Sequence, residues 1–191
     1  KIAVPYIWMF GIEADNKCNV YYGREFMELE SVFLQIADPE YRKIIYIHNA
    51  GYEFQFLRDI FEKYTVKDMC CQKARKPIRW IIDELNLEFR CSYLLTGLSL
   101  EKAAERYTKL RKKTGDLDYN SVIRSPLTTL TVEELGYCEY DILTLHHIIM
   151  KFRDAYGSLS KIPLTQTGEV RRDLRNRVDF KYIYHIRDQV P

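Results

Sequence analysis

The sequence contains no run of about 18 uncharged apolar residues, the length a helix needs to cross a bilayer. Its first residues also lack the basic-then-apolar pattern of a secretory signal. Membrane-spanning and secreted readings therefore lose their support, leaving a soluble chain in the cytoplasm. There is no C-x-x-C spacing, and the five cysteines, Cys18, Cys70, Cys71, Cys91 and Cys138, are odd in number. That argues against a disulfide framework and against a zinc site, and it fits reduced thiols in a cytosol. Neither an internal repeat nor a low-complexity segment is present, which removes solenoid and repeat architectures. An excess of charge of one sign is missing too: the formal net charge is +2, so composition by itself does not announce a nucleic-acid binder.

What the chain does have is enough apolar material for one good core. With 191 residues, 47% hydrophobic and 14% aromatic, it is long enough for a single domain followed by a short tail. Two local basic clusters stand out, one at Lys109, Arg111, Lys112 and Lys113 and the other at Arg171, Arg172, Arg175 and Arg177. Both are compatible with solvated helix faces. The first residue is Lys1, and the stretch from Ile2 to Glu13 reads as the middle of a sheet, which suggests a chain that begins downstream of its own first strand.

Val4 to Ile12 and Cys18 to Tyr22, separated by the turn-forming Asp15-Asn16-Lys17, predict a β-hairpin. Phe26, Leu29, Phe33 and Ile36 recur at helical spacing within Glu25 to Ala37, and Asp38-Pro39 ends that helix. Lys43 to His48 is a short β-branched run typical of a buried strand, followed at once by a helical pattern from about Tyr52 to Tyr64. Ile78 to Asp83 and Leu87 to Ser92 predict a strand pair around Leu85-Asn86, although Arg79 and Arg90 sit awkwardly in it. Ser99 is positioned to cap a helix running to about Lys113, and Gly115 to Thr129 reads as a loop. Thr131 and Glu134 form a capping-box pair opening a long helix that Gly157 closes. On that helix Leu135, Cys138, Ile142, Leu145, Ile149 and Phe152 form the expected core stripe.

Two constellations carry chemistry. Tyr137 and Asp141 lie one turn apart on the flank of the long helix. An Asp beside an apolar stripe is partly desolvated unless a cation or donor compensates it; a Tyr hydroxyl bonded to a helix-flank Asp accounts equally for the spacing. His48-Asn49-Ala50-Gly51-Tyr52-Glu53 occupies the point where a strand ends and a helix begins, which is where α/β sheets bind ligands. There Glu53 is either a routine first-turn carboxylate favoured by the helix dipole or a functional one, and Tyr52 is either a core aromatic or a contact.

The string YIHNAGYEFQFLRDIF resembles the second exonuclease motif of family B DNA polymerases, Asn-x-x-(Phe/Tyr)-Asp, and YCEYD resembles the third, Tyr-x-x-x-Asp, in the same order. Arg90 to Ala104, Thr114 to Tyr119 and IPLTQTGEVRRD at Ile162 to Asp173 are similar to corresponding parts of protein-primed phage and mobile-element members. The resemblance implies an α/β, RNase H-like (DEDD-type) mixed sheet flanked by helices. Residues 1–157 would form the 3′-to-5′ exonuclease domain and residues 158–191 a link toward a polymerase palm. It implies a proofreading activity in a bacterial host, with single-stranded or frayed 3′-end DNA as partner, and a terminal protein primer as a further one. It also implies Mg²⁺ or Mn²⁺ in a two-metal site whose ions lie about 4 Å apart, with Glu53 and Asp141 as ligands and Tyr137 orienting the attacking water. Asn49 and Tyr52 would contact the 3′ end by hydrogen bonding and stacking. Ser92 would touch single-stranded DNA, unless it is a solvent-facing strand-end serine, and Lys113 or Lys112 would lie near the scissile phosphate.

The chain departs from the family pattern in three places. Glu53 stands where most relatives carry Asp, a displacement of about one bond length that can cost about 10²-fold in rate. Thr114, rather than a lysine, directly precedes Gly115, and the first motif, Asp-x-Glu, has no counterpart before the hairpin. The expectation is therefore a weak or inactive nuclease on its own, with a non-catalytic single-strand-binding or scaffold module as the alternative.

Overall fold

The computed structural model describes residues 5–110 and 123–177. The hairpin forms as β1 (Trp8–Ala14) and β2 (Lys17–Gly23), antiparallel in the register Trp8↔Gly23 to Ala14↔Lys17. It turns at Asp15 and Asn16, both with positive φ, the backbone region that Asp and Asn tolerate best among side-chain-bearing residues. The first strand starts at Trp8 rather than Val4, which lies outside the described residues. Helix α1 (Phe26–Ile36) follows, closed at its start by a capping box of Glu25 and Glu28 and by Trp8 Nε1 donating to the Glu25 carbonyl at 2.8 Å.

A four-stranded mixed sheet makes the body of the molecule. Its order is β3 (Lys43–Ile47), β6 (Leu87–Cys91), β5 (Lys76–Ile82), β4 (Val66–Lys73), with β3 parallel to β6 and the other pairs antiparallel. Helix α2 (Ala50–Phe61) leaves β3 directly. Short α3 (Ser92–Thr96) leaves β6 just as abruptly and ends at Gly97, whose φ of 67° suits a residue without a side chain. Helix α4 (Leu100–Tyr107) has the expected Ser99 cap, but stops at Thr108 instead of continuing to Lys113. Helix α5 (Val132–Tyr156) has the Thr131/Glu134 capping box and the left-handed Gly157 that its sequence announces. A 3-10 turn (Leu159–Lys161) and α6 (Gln166–Arg177) complete the described chain. No helix among the described residues is long and apolar enough to cross a membrane.

The alternation of side chains along a strand divides the core in two. Leu87, Phe89 and Cys91 of β6, with Ile45 of β3 and Trp80 and Ile82 of β5, face α1 and α2 and pack with Leu29, Phe33, Leu57, Ile60 and Phe61. Trp80 and Phe89 stack with centroids 5.1 Å apart and planes 2° apart, and Phe54 and Phe61 meet the Trp80 ring edge-on. A second cluster, Leu95, Ala103, Ile148, Ile149, Phe152 and Ile162 with Tyr46 of β3 against it, joins α4 and α5 to the sheet.

The stripe expected on α5 shifts accordingly. Thr144, Ile148, Ile149 and Phe152 are buried, whereas Leu135, Cys138, Ile142 and Leu145 are only half-buried, because the first half of α5 rests on the thin β1–β2 hairpin and not on the sheet. Arg79 and Arg90 lose their awkwardness once their partner is seen. Glu88, 4% exposed, accepts from Arg79 Nε at 2.6 Å and from Arg90 Nε at 2.8 Å. Arg90 Nη1 then donates to the carbonyls of Leu159 at 2.9 Å and Ile162 at 3.3 Å. A buried guanidinium on a central strand is tolerable only when its donors are used in this way.

Candidate nucleic-acid interface

Because β3 and β6 run parallel, with Ile47 beside Cys91, the two residues that follow them emerge side by side at one end of the sheet. His48 Nδ1 lies 3.0 Å from Ser92 Oγ, and Ser92 Oγ also reaches the Ile47 carbonyl at 3.4 Å. The chain then turns through Asn49, held in the left-handed region at φ 60°, and enters α2 with the Tyr52 amide donating to the Asn49 carbonyl at 2.8 Å. This turn places Asn49, Tyr52 and Glu53 around the same mouth. Asn49 is exposed, and Tyr52 is half exposed, its ring meeting Phe56 edge-on at 5.0 Å. The core-aromatic alternative for Tyr52 thereby loses its support.

Glu53 reaches water, yet much of its surroundings is protein. Although the residue is exposed at the surface, that partial desolvation raises its carboxyl above the ordinary carboxylate value. Ser92 differs from expectation. It is fully buried, so neither a direct strand contact nor a solvent-facing role fits it, and its hydroxyl instead fixes the His48 ring.

His48 is the residue that sequence reasoning missed. Burial pushes its imidazole down to about 4, its Nε2 is buried without a partner among the described residues, and its ring meets the exposed Tyr93 edge-on at 5.8 Å. At neutral pH it is therefore an uncharged ring with one unused hydrogen-bonding atom beside the mouth. The available signal was its place as the first residue after a buried strand.

Tyr137 and Asp141 stand on another element. Helix α5 packs chiefly on α4, β1, β2 and the 3-10 turn, not on α2. Both residues are half-buried and both have interaction partners. The negative charge of Asp141 contributes, after burial, to raising the Cys138 thiol pKa. Lys112, Lys113 and Thr114 to Tyr119 lie outside the described residues. Among the described residues no group of three or more His, Cys, Asp or Glu side chains is gathered closely enough to hold a metal ion. Glu53 and Asp141 are oxygen donors of the hard type that Mg²⁺ and Mn²⁺ prefer, but they do not complete such a site by themselves.

The chain matches no protein-family model, and no curated protein matches it. Solved structures do. Phi29 DNA polymerase complexed with single-stranded DNA superposes with a TM-score of 0.60 at 15% identity, covering 79% of this chain and 31% of that one. The same polymerase complexed with primer-template DNA gives 0.59 at 16% identity, again over 79% and 31%. The complex holding incoming nucleotide substrates as well gives 0.58 at 14% identity, over 80% and 31%. The chain thus spans 31% of the length of these structures, and at this identity the likeness is one of fold: an α/β domain with a mixed four-stranded sheet, compatible with an RNase H-like architecture.

Proposed function

We propose that this chain is the 3′-to-5′ exonuclease domain of a DNA polymerase of family B, acting on the frayed 3′ end of DNA. The observation that carries the reading is the mouth of the β3/β6 pair. There Asn49, the exposed Tyr52 ring and the desolvated Glu53 carboxyl gather at the end of a parallel strand pair, in a fold shared with a polymerase whose solved complex contains single-stranded DNA. Tyr52 offers a face for stacking a terminal base, a contact worth about 1–3 kcal/mol and tolerant of sequence. Asn49 offers an amide to the same nucleotide. A mispaired end separates more easily from its template, so selectivity arises from melting cost rather than from reading the base.

In this reading Glu53 and Asp141 are oxygen ligands for Mg²⁺ or Mn²⁺, which when bound supply an activated water and stabilise the leaving oxygen. Tyr137, one turn from Asp141, holds that water by its hydroxyl. A second reading, strand binding without hydrolysis, is favoured by the small carboxylate set: the described residues gather no third ligand around either acid.

The test uses an oligonucleotide with a mispaired, labelled 3′ end and Mn²⁺. Exonuclease function predicts release of the terminal nucleotide, lost in Glu53→Gln and Asp141→Asn while binding persists. Because weak hydrolysis is expected of the chain on its own, release is sought over a long incubation with the chain in excess, and binding with no release under those conditions supports the second reading. Absence of both, or binding unchanged in Asn49→Ala/Tyr52→Ala, refutes the assignment of this mouth.

A further inference from the structure

The β4–β5 hairpin is oddly charged at its tip. From Cys70 to Pro77 the sequence runs Cys-Cys-Gln-Lys-Ala-Arg-Lys-Pro, without an acid. Lys73, Arg75 and Lys76 are all exposed, and none has an ion-pair partner among the described residues. Lower on the same hairpin every cation is matched: Lys67 meets Asp83 at 2.6 Å, and Arg79 meets Glu88 at 2.6 Å and Asp68 at 3.9 Å. Three uncompensated cations in four residues repel one another, and the fold gains nothing from placing them together.

Their position gives them a use. The tip lies against the start of α2, where a side-chain carbon added to Gly51 would come 2.9 Å from the Arg75 carbonyl oxygen and 3.6 Å from Lys76 Cα. Gly51 is therefore the seat of the hairpin, two residues from Asn49 and from Glu53. Arg75 turns the chain there with φ 61°. Beside this seat an open cleft of about 380 Å³ is lined by Gln72 and Lys76 from the hairpin, by Tyr93, whose ring touches His48, and by Thr165 and Thr167. The cleft thus has Lys76 of the charged tip on one side and Tyr93, the ring beside His48, on the other.

We infer that the tip of the β4–β5 hairpin is a phosphate-binding arm, with Lys73, Arg75 and Lys76 holding the backbone of a single strand whose 3′ end occupies the mouth. This rests on the reading of the mouth given above. The arm neutralises backbone charge that Asn49, Tyr52 and Glu53 do not address, and a polyanionic strand is the partner that offers several negative charges in a row.

Binding of a labelled oligothymidylate to the whole chain, followed by fluorescence anisotropy across a series of salt concentrations, tests it. Each phosphate contact contributes about 0.7 to the slope of log affinity against log salt for a single strand. Lys73→Gln/Arg75→Gln/Lys76→Gln is thus expected to reduce the slope by about 2, and the charge-retaining Lys73→Arg/Arg75→Lys/Lys76→Arg to preserve it. An unchanged slope in the neutralised variant, or equal losses in both variants, overturns the arm. Asn49→Ala/Tyr52→Ala separates the two readings. If it weakens binding without altering the slope while the neutralised arm alters the slope, both stand. If it leaves binding intact while the arm variant still lowers the slope, the arm survives and the mouth does not.

Discussion

Acidifying the protein through the range between pH 6.5 and 4.5 should remove stability that His48 provides as a neutral ring. Its pKa is about 4 in the folded chain because burial disfavours the imidazolium, against about 6.5 in an unfolded chain. Below pH 6.5 the unfolded state therefore binds a proton that the folded state refuses, and the stability falls as pH falls until the folded-state pKa is reached. For a single group with these two values the loss between pH 6.5 and 4.5 is about 2 kcal/mol, an upper figure because the ring keeps some contact with solvent. Two neighbours complicate the raw curve. His146 is also lowered, by burial first and by His147 second, and adds a loss of the same sign. Glu53 is raised and acts in the opposite sense, since its folded form gains a proton more readily than its unfolded form.

The difference between the unmodified chain and His48→Gln cancels both. Urea unfolding of the two proteins at half-unit pH steps should show curves that converge as pH falls, with the variant lacking the extra slope. Glutamine retains a hydrogen-bonding group near Ser92, so the comparison isolates the titration. Parallel curves over this window would show that the imidazole is not desolvated and would remove the physical basis for treating it as a neutral residue at the mouth.

Trp80 is fully buried, and its Nε1 has no partner among the described residues. Trp80→Phe should therefore cost less than its lost area suggests, about 1 kcal/mol or below, because removing an orphaned donor recovers about 1–3 kcal/mol of desolvation. Trp80→Ala should cost about 3–5 kcal/mol, and equal losses for the two substitutions in urea unfolding would contradict the orphan. Arg90→Met removes a partner of a buried carboxylate and frees two carbonyls after α5. About 3–5 kcal/mol of destabilisation is expected, with faster amide exchange in α6 than in β5, and uniform acceleration in both would show that Arg90 does not anchor the tail.

The elements that could be read from the sequence are those whose signals are local. The capping box at Thr131 and Glu134, the left-handed stop at Gly157 and the hairpin turn at Asp15 and Asn16 all depend on residues within a few positions of one another. β4 is different. Val66 to Lys73 is exposed along almost its entire length, lacks alternation, and is held as an edge strand by pairing with β5 through several register shifts. Nothing in its own composition demands a strand. The site divides in the same way: Asn49, Tyr52 and Glu53 follow one another along the chain, so their common place where β3 passes into α2 was legible. Ser92 and His48 are joined across 44 positions, so neither the burial of the serine nor the neutral state of the imidazole could be seen before the parallel pairing of β3 and β6 was known.

The division of the core bears on the two acids. Glu53 rides on α2, which belongs to the apolar cluster of Leu57, Ile60, Phe61 and Trp80, while the inner half of α5 belongs to the cluster of Ile148, Ile149 and Phe152 on the other face of the sheet. Asp141 lies on the outer half of α5, which the β1–β2 hairpin and Arg124, through Glu134, support. There a side-chain carbon on Gly11 would stand 2.7 Å from Ile142 Cγ2. The position of Asp141 is thus tied to how the β1–β2 hairpin seats on α5, and that of Glu53 to the packing of α2 around Trp80. Gly11→Ala, whose added methyl would press on Ile142 beside Asp141, is expected to tilt the outer half of α5 and to impair hydrolysis more than strand binding, since Asn49 and Tyr52 do not depend on that contact. Equal loss of both would mean that the mouth and α5 move as one body.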